Sequence, residues 1–306
     1  MSISNGTRNQ FGGLAKTVPE QFIPTGTGQS PKSGPRNPKV QLLESLQTLA
    51  QNFPADLVEA QLNDVERVAF QLNAIVERAG TDISLCDIGS GLGMFPAACA
   101  QEGMRVTMLD DFASPFADEA AARANPDAPD AVNFDCTDEA LAFHRSLGVR
   151  AVVRDPLREG FGFPSESLDV VTCIGSMEHW HQSPKRLFAS VMEALVPGGL
   201  FLLGVPNCVN LRKRLTVPLG YGKWSQIQHW YEPETFRGHV REPDIDDLRY
   251  IARDMKLQGI EILGRNWIGL GSSSPSLRRA TRLVDFMLRL RPSLCSDLYL
   301  IGRKSS

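Results

Sequence analysis

The stretch LCDIGSGLGMFPAACAQEGMRVTMLDDF, Leu85 to Phe112, decides the fold. A short apolar run ends around Asp87, passes through Gly89, Gly91 and Gly93, and turns helical. A second apolar run then ends in two acids, Asp110 and Asp111. Glycines let the backbone approach a ligand closely, and the first amides of a helix are unpaired, so a strand–loop–helix of this kind is built to hold something polar. A dinucleotide loop needs Gly or Ala at the third position of G-x-G-x-x-G. Counting from Gly89, that position is Met94, so the fingerprint fails. No Gly-Lys-Ser/Thr follows the loop, so a phosphate-cradling P-loop fails too.

Outward from the loop, strands and helices alternate. ISLCDI, MRVTMLD, VRAVVRD, SLDVVTCIG and LFLLGVP read as strands. MFPAACAQE, DEALAFHRSL and the segment opened by Ser183-Pro184 and stopped near Val196 by PGG read as helices. Continuous apolar strands alternating with helices imply a mostly parallel sheet covered on both faces, with ligands at the carboxyl ends of its strands. Two amphipathic helices precede the sheet: one from Lys39, broken by Pro54, and a longer one with Asp56 as N-cap and Gly80 as stop. Residues 207–242 break the alternation with a basic NLRKRL and an aromatic, His-containing segment, and a long irregular insertion in a compact domain points to function. A helix over Asp244–Lys256, a strand GIEILG, a basic amphipathic helix over 275–290 and a final strand SDLYLIGRK, at or near a sheet edge, close the chain.

Composition excludes several classes. The 306 residues carry a net charge of -3, which gives no global basic field for nucleic acid. No apolar run approaches the roughly 18 residues needed to cross a bilayer, and the N-terminus lacks a signal-peptide core, so a cytoplasmic location is expected. The six cysteines form no CxxC pair and read as buried small hydrophobes. Residues 1–38 hold six Gly and five Pro and read as a disordered, mildly basic arm; 39–306 read as one domain.

The loop resembles motif I of the class I S-adenosylmethionine (SAM) dependent methyltransferases. The resemblance extends through Asp110 and Asp155 at the ends of the second and third strands, and through SLDVVTCIGSMEHWHQSPKRLFASVMEALVPGGLFLLGVPN, which is similar to a block of the broad bacterial methyltransferase subfamily. It implies an α/β, Rossmann-like seven-stranded sheet, six strands parallel and one antiparallel, with the N-terminal helices and a small cap insertion over the acceptor. It implies SAM as cofactor, held by Asp87, Gly89, Ser90, Gly91, Gly93, Asp110 on the ribose and Asp155 near the adenine. Asp111 is the alternative ribose ligand. Asp87 belongs beside the methionine part, with the capping of loop amides as its rival role.

Methyl transfer is an in-line displacement from an activated donor, so the protein must position a nucleophile and accept a proton, and no metal is called for. His179, in the Glu178-His179 pair after the fourth strand, is the candidate general base, with local packing as its rival role. His181 is expected on the surface and His144 in a structural role. In the insertion, His229, Trp230, Tyr231 and His239 are candidates for an acceptor pocket or lid, and Arg212, with Lys213 and Arg214, for an anionic group on the acceptor. FRGHVREPDIDDLRYIARDM is similar to bacterial methyltransferases encoded with glycan genes, which implies O-methylation of a sugar, glycan or glycolipid. The alternatives are a small-molecule N- or C-methyltransferase, an inactive SAM-binding regulatory protein, and a nicotinamide-dependent oxidoreductase on a similar sheet. The sequence fixes no oligomeric state.

Overall fold

A computed structural model describes residues 38–112, 137–221, 227–232, 236, 238–272 and 274–306. The arm expected over 1–38 lies outside these, except for Pro38, which begins a helix. That helix, α1 (Pro38–Gln51), is followed after Pro54 by α2 (Ala55–Ala79). Pro54 itself takes the N-cap position of α2, so Asp56 is not the cap; it lies in the first turn, where a negative charge favours the positive end of the helix dipole. Gly80 ends the helix as expected.

The sheet has seven strands: β1 (Ser84–Ile88), β2 (Arg105–Asp110), β3 (Arg150–Val153), β4 (Leu168–Ile174), β5 (Leu195–Pro206), β6 (Gln258–Arg265) and β7 (Asp297–Arg303). Their order is β3-β2-β1-β4-β5-β7-β6. β7 runs antiparallel to β5 and β6, and the other pairings are parallel. The last strand therefore sits one place in from the edge, and β6 takes the edge itself. The reason is burial: Leu298 to Ile301 are almost fully covered, whereas Gln258 to Glu261 of β6 are exposed. A charged residue on an edge strand discourages pairing with another chain, and Glu261 is in addition tied to Arg78 of α2 at 2.9 Å.

Alternate side chains of each strand enter two separate cores. Leu85, Val106, Met108, Val170, Leu200 and Leu202 pack with α1, α2, α3 (Met94–Gln101) and α4 (Thr137–Ser146). Cys86, Leu109, Val171, Phe201 and Leu203 pack on the other face with α5 (Lys185–Ala194) and with Leu248 and Ala252 of a later helix, Ile245–Asp254. This period-two division is why the strands read as unbroken apolar runs. α5 ends at Ala194, two residues before the expected stop, because Leu195 already pairs with Leu168 and PGG lies within β5.

The 207–242 insertion is partly helical, with α6 (Leu211–Thr216) and a single turn, α7 (Gln228–Tyr231). The Ile245–Asp254 helix, α8, follows; Asp244 and Asp247 close its start with a capping box. Between β6 and β7 lie α9 (Trp267–Leu270) and the basic amphipathic α10 (Pro275–Arg289). Among the described residues no helix is long and apolar enough to cross a membrane.

Asn207 joins these parts. Fully buried at the tip of β5, it donates from Nδ2 to the carbonyls of Ser293 and Cys295, at 3.0 and 2.8 Å, and accepts from the Val209 amide. Asn207→Ala would take this partner from the Cys295 carbonyl and the Val209 amide, while Arg214 still donates to Ser293 O, at a cost of roughly 1–3 kcal/mol. A drop of several degrees in melting temperature is expected in thermal denaturation; an unchanged melting curve would show that the side chain does not hold the insertion to the sheet.

Candidate functional site

The carboxyl ends of β1, β2, β4 and β5 face the same way, and the glycine loop emerges among them. Gly89 has φ +66° and donates its amide to Leu109 O at 2.8 Å. A Cβ on Gly89 would lie 1.8 Å from Ser176 Oγ, so only glycine lets β1 turn against the segment that follows β4. Gly91 has φ +52° and open space where a Cβ would stand, and its amide donates to Asp110 Oδ2 at 2.8 Å. The amide of Phe112 donates to Asp110 Oδ1. The carboxylate that holds loop amides is thus Asp110's. Asp111 is exposed.

Asp87 is positioned by β4. It is buried beneath the loop and accepts from the Thr172 hydroxyl on β4 at 2.6 Å. Burial pushes its pKa up to about 7, against the lowering effect of that hydrogen bond, and the nearby Asp110 charge adds to the rise. Asp110 is raised mainly by burial, with the Gly91 and Phe112 amides opposing. Ser90 Oγ is buried and has no hydrogen-bond partner among the described residues. A buried orphan hydroxyl beside open glycine backbone fits a polar ligand that donates or accepts hydrogen bonds there.

The loop is braced from behind. Gln61 of α2 accepts the Met94 amide at the start of α3, and His144 Nε2 lies 3.0 Å from Gly93 O. His144 is fully buried, its pKa lowered by that burial, and it plays the structural role expected of it. Asp155, two residues beyond β3, accepts from the amides of Leu157 and Arg158 and pairs with the Arg158 guanidinium, so its carboxylate organises its own turn.

After β4, Glu178 and His179 lie in a single 3-10 turn, Met177–His179. Glu178 is 3% exposed, and burial pushes its pKa up to about 7. Its Oε2 has no hydrogen-bond partner among the described residues. Its backbone carbonyl accepts from the amides of Val240 and Arg241, which fastens the end of the insertion to this turn. The ring of His239 thereby stands edge-on to His179, with centroids 4.8 Å apart. His239 Nδ1 lies 2.8 Å from Glu242 Oε1, and Lys213 Nζ pairs with Glu242 Oε2. Burial works to raise the Glu242 pKa, but the hydrogen bonds from His239 and Lys213 outweigh it and lower the value.

Of the basic trio on α6, Lys213 is therefore the side chain that turns inward. Arg212 is exposed, and Arg214 donates to Val209 O and Ser293 O. Tyr231 and Trp230 are exposed, as is His181, expected on the surface. The His229 side chain lies outside the described residues. Glu242 went unnoticed in the sequence, although the spacing His239-x-x-Glu242 offered a signal. A shallow cleft lined by Ser84, Arg105, Leu147 and Leu168 lies at the amino ends of the strands, away from all of these groups.

A family model described as a methyltransferase domain matches residues 60–262, about two-thirds of the chain. None of the curated proteins compared matches it. Among solved structures, a possible histamine N-methyltransferase from Thermotoga maritima is 12% identical, with a TM-score of 0.50 over 85% of this chain and 100% of that one. A SAM dependent methyltransferase from Archaeoglobus fulgidus is 15% identical, with a TM-score of 0.47 over 78% of this chain and 94% of that one. Phosphoethanolamine N-methyltransferase 2 from Haemonchus contortus is 18% identical, with a TM-score of 0.45 over 78% of this chain and 53% of that one.

Two predictions follow from the loop. Gly89→Ala adds left-handed strain of about 1–2 kcal/mol to the clash with Ser176 and should strongly destabilise the protein. Adding Ser176→Gly should recover part of the loss in a melting experiment; no recovery would refute the close contact. Asp87→Asn keeps an acceptor for Thr172 while removing a buried charge. The folded pKa of Asp87 lies above the ordinary carboxylate value of about 4, so its contribution to stability is complete below that value and lost as pH rises through about 7. The variant should melt higher than the parent at pH 8, by an amount on the order of a few kcal/mol, and the gap should shrink toward pH 5. A lower melting temperature at pH 8 would contradict the assignment.

Proposed function

The chain belongs to the methyltransferase-domain family and is a SAM-dependent methyltransferase, and on that premise we propose that its acceptor is an oxygen of a sugar, glycan or glycolipid. The observation that carries this reading is the cluster of Glu178 and His179, on the segment that packs against Gly89 of the glycine loop, with His239 of the insertion. A neutral amine attacks through its own lone pair, whereas an alcohol is a poor nucleophile until its proton begins to leave. Two imidazoles and a carboxylate beside the methyl donor suit the second case. His179 is the catalytic residue of this reading and acts at the acceptor hydroxyl.

In the same reading Gly89, Ser90, Gly91 and Gly93 hold the donor, Asp87 supports the loop from below, and Asp110 receives the ribose hydroxyls at the tip of β2. SAM has no phosphate, which agrees with the failed phosphate and dinucleotide patterns, and it supplies an already activated methyl group. The insertion at 207–242 caps the acceptor side, where Arg212, His229 and Tyr231 meet the acceptor. An acceptor linked to lipid is favoured by α10, which presents Leu283, Phe286, Met287 and Leu290 to solvent beside Arg278, Arg279 and Arg282. The five cysteines among the described residues are unpaired, which accords with a reducing, cytoplasmic setting.

Calorimetric titration should show SAM and S-adenosylhomocysteine binding and no NAD binding. His179→Ala should bind SAM within a few-fold of the parent while transfer falls by roughly 10²–10⁴; near-full turnover would remove His179 from the chemistry. With labelled SAM and fractionated cell extract, label should enter lipid-linked glycan. Label confined to soluble metabolites or protein would overturn the acceptor assignment.

A further inference from the structure

We propose that Glu178, His179 and His239 form a binding site for a first-row divalent cation such as Zn²⁺ or Mn²⁺. Methyl transfer from an activated donor needs no metal, so composition and motif gave no reason to expect one. The reason is geometric. One ligating atom from each of the three side chains lies within 4.8 Å of the others. Metal–nitrogen and metal–oxygen bonds of about 2.1 Å bring tetrahedral ligand atoms to roughly 3.4 Å, so side-chain rotations of about an ångström complete the site.

Two independent features point to a cation rather than to a chance grouping. The first is Glu178 Oε2, which is buried and makes no hydrogen bond among the described residues. A buried, unpartnered carboxylate oxygen is costly, and a cation is the ligand that would repay it. The second is the support behind His239. Its Nδ1 faces Glu242, and Glu242 is itself held by Lys213. A carboxylate on one ring nitrogen fixes the tautomer and leaves the other nitrogen as a lone-pair donor, the arrangement that supports metal-bound histidines. Lys213 keeps Glu242 ionised and pointed at the ring. Glu242 is thus a positioning residue, not a ligand. The backbone bonds from Val240 and Arg241 to Glu178 O hold the distant His239 in register with the other two ligands.

The donor set also selects the ion. Two imidazoles with one carboxylate suit zinc, manganese, iron or cobalt, whereas magnesium and calcium prefer all-oxygen shells. Three protein ligands leave a coordination position open. For what the ion does, the inference rests on the proposed methyl transfer. An acceptor hydroxyl on the open position becomes more acidic and gives its proton to water, so that His179 acts on that hydroxyl by holding the ion rather than by taking the proton. The metal-held oxygen then bonds to the methyl carbon as the carbon–sulfur bond breaks, releasing an ether and S-adenosylhomocysteine.

The test is metal binding, with activity as a separate readout. Full-length protein treated with EDTA and desalted should take up one Zn²⁺ or Mn²⁺ per chain, followed by calorimetry and by elemental analysis after dialysis. Glu178→Gln and His239→Gln should each weaken uptake at least 100-fold, and Glu242→Gln by 10–100-fold, while circular dichroism and SAM affinity stay at parental values. Parental metal affinity in all three variants, or no uptake by the folded parent, would overturn the site. Methyl transfer by EDTA-treated protein at the untreated rate would overturn the ion's catalytic role and leave methyl transfer standing. Stoichiometric metal binding by protein that does not bind SAM would instead uphold the site and sink the methyltransferase reading.

Discussion

The chemistry of this molecule depends on one close approach: the backbone at Gly89 lying directly against Ser176. No side chain fits between them, so the loop after β1 and the turn after β4 meet with no intervening layer. Ser90, Gly91 and Gly93 belong to the first of these segments, and Glu178 and His179 to the second. Adjacent parallel strands bring their carboxyl ends together in any such sheet. A glycine at this one position converts that proximity into contact, and His144, Gln61 and Asp110 then hold the loop in place.

Much of this was written locally and could be read. The glycine spacing, the unbroken apolar strands and the acid at the tip of β2 are short-range patterns, and each maps onto the structure within a residue or two. Helix ends moved where a tertiary contact competed with a local signal, as when pairing of Leu195 with Leu168 drew PGG into β5. The cluster on the acceptor side was far less legible. Lys213, His239 and Glu242 are brought to Glu178 and His179 by backbone bonds across some 60 residues of sequence. No periodicity records such a contact. Lys213 also shows how the basic trio divides: on a short helix three consecutive cations point in different directions, and burial against Glu242 selects the middle one.

The site is assembled against local stability. Asp87, Asp110 and Glu178 are all carboxyl groups whose pKa values are raised chiefly by burial. Each costs the folded protein something at neutral pH, and among the described residues none is answered by a full ion pair of its own. Perturbed groups collect where a ligand rather than the protein completes the electrostatics. Two other carboxylates follow the opposite rule. Glu242 is met by Lys213 and His239, and Glu261 by Arg78. The contrast within one molecule, between carboxylates that are answered and those that are not, marks the site as clearly as the motif does.

The insertion then becomes more than a cover. Because the carbonyl of Glu178 accepts from Val240 and Arg241, the segment that delivers His239 cannot shift without disturbing the turn that carries Glu178 and His179. That turn is in contact with the donor loop through Ser176. The insertion, the turn after β4 and the glycine loop are thus linked by two backbone hydrogen bonds and one close contact. Asn207 anchors the other end of the insertion to the β6–β7 connection, so it is held at both ends while its middle projects Trp230 and Tyr231 into solvent.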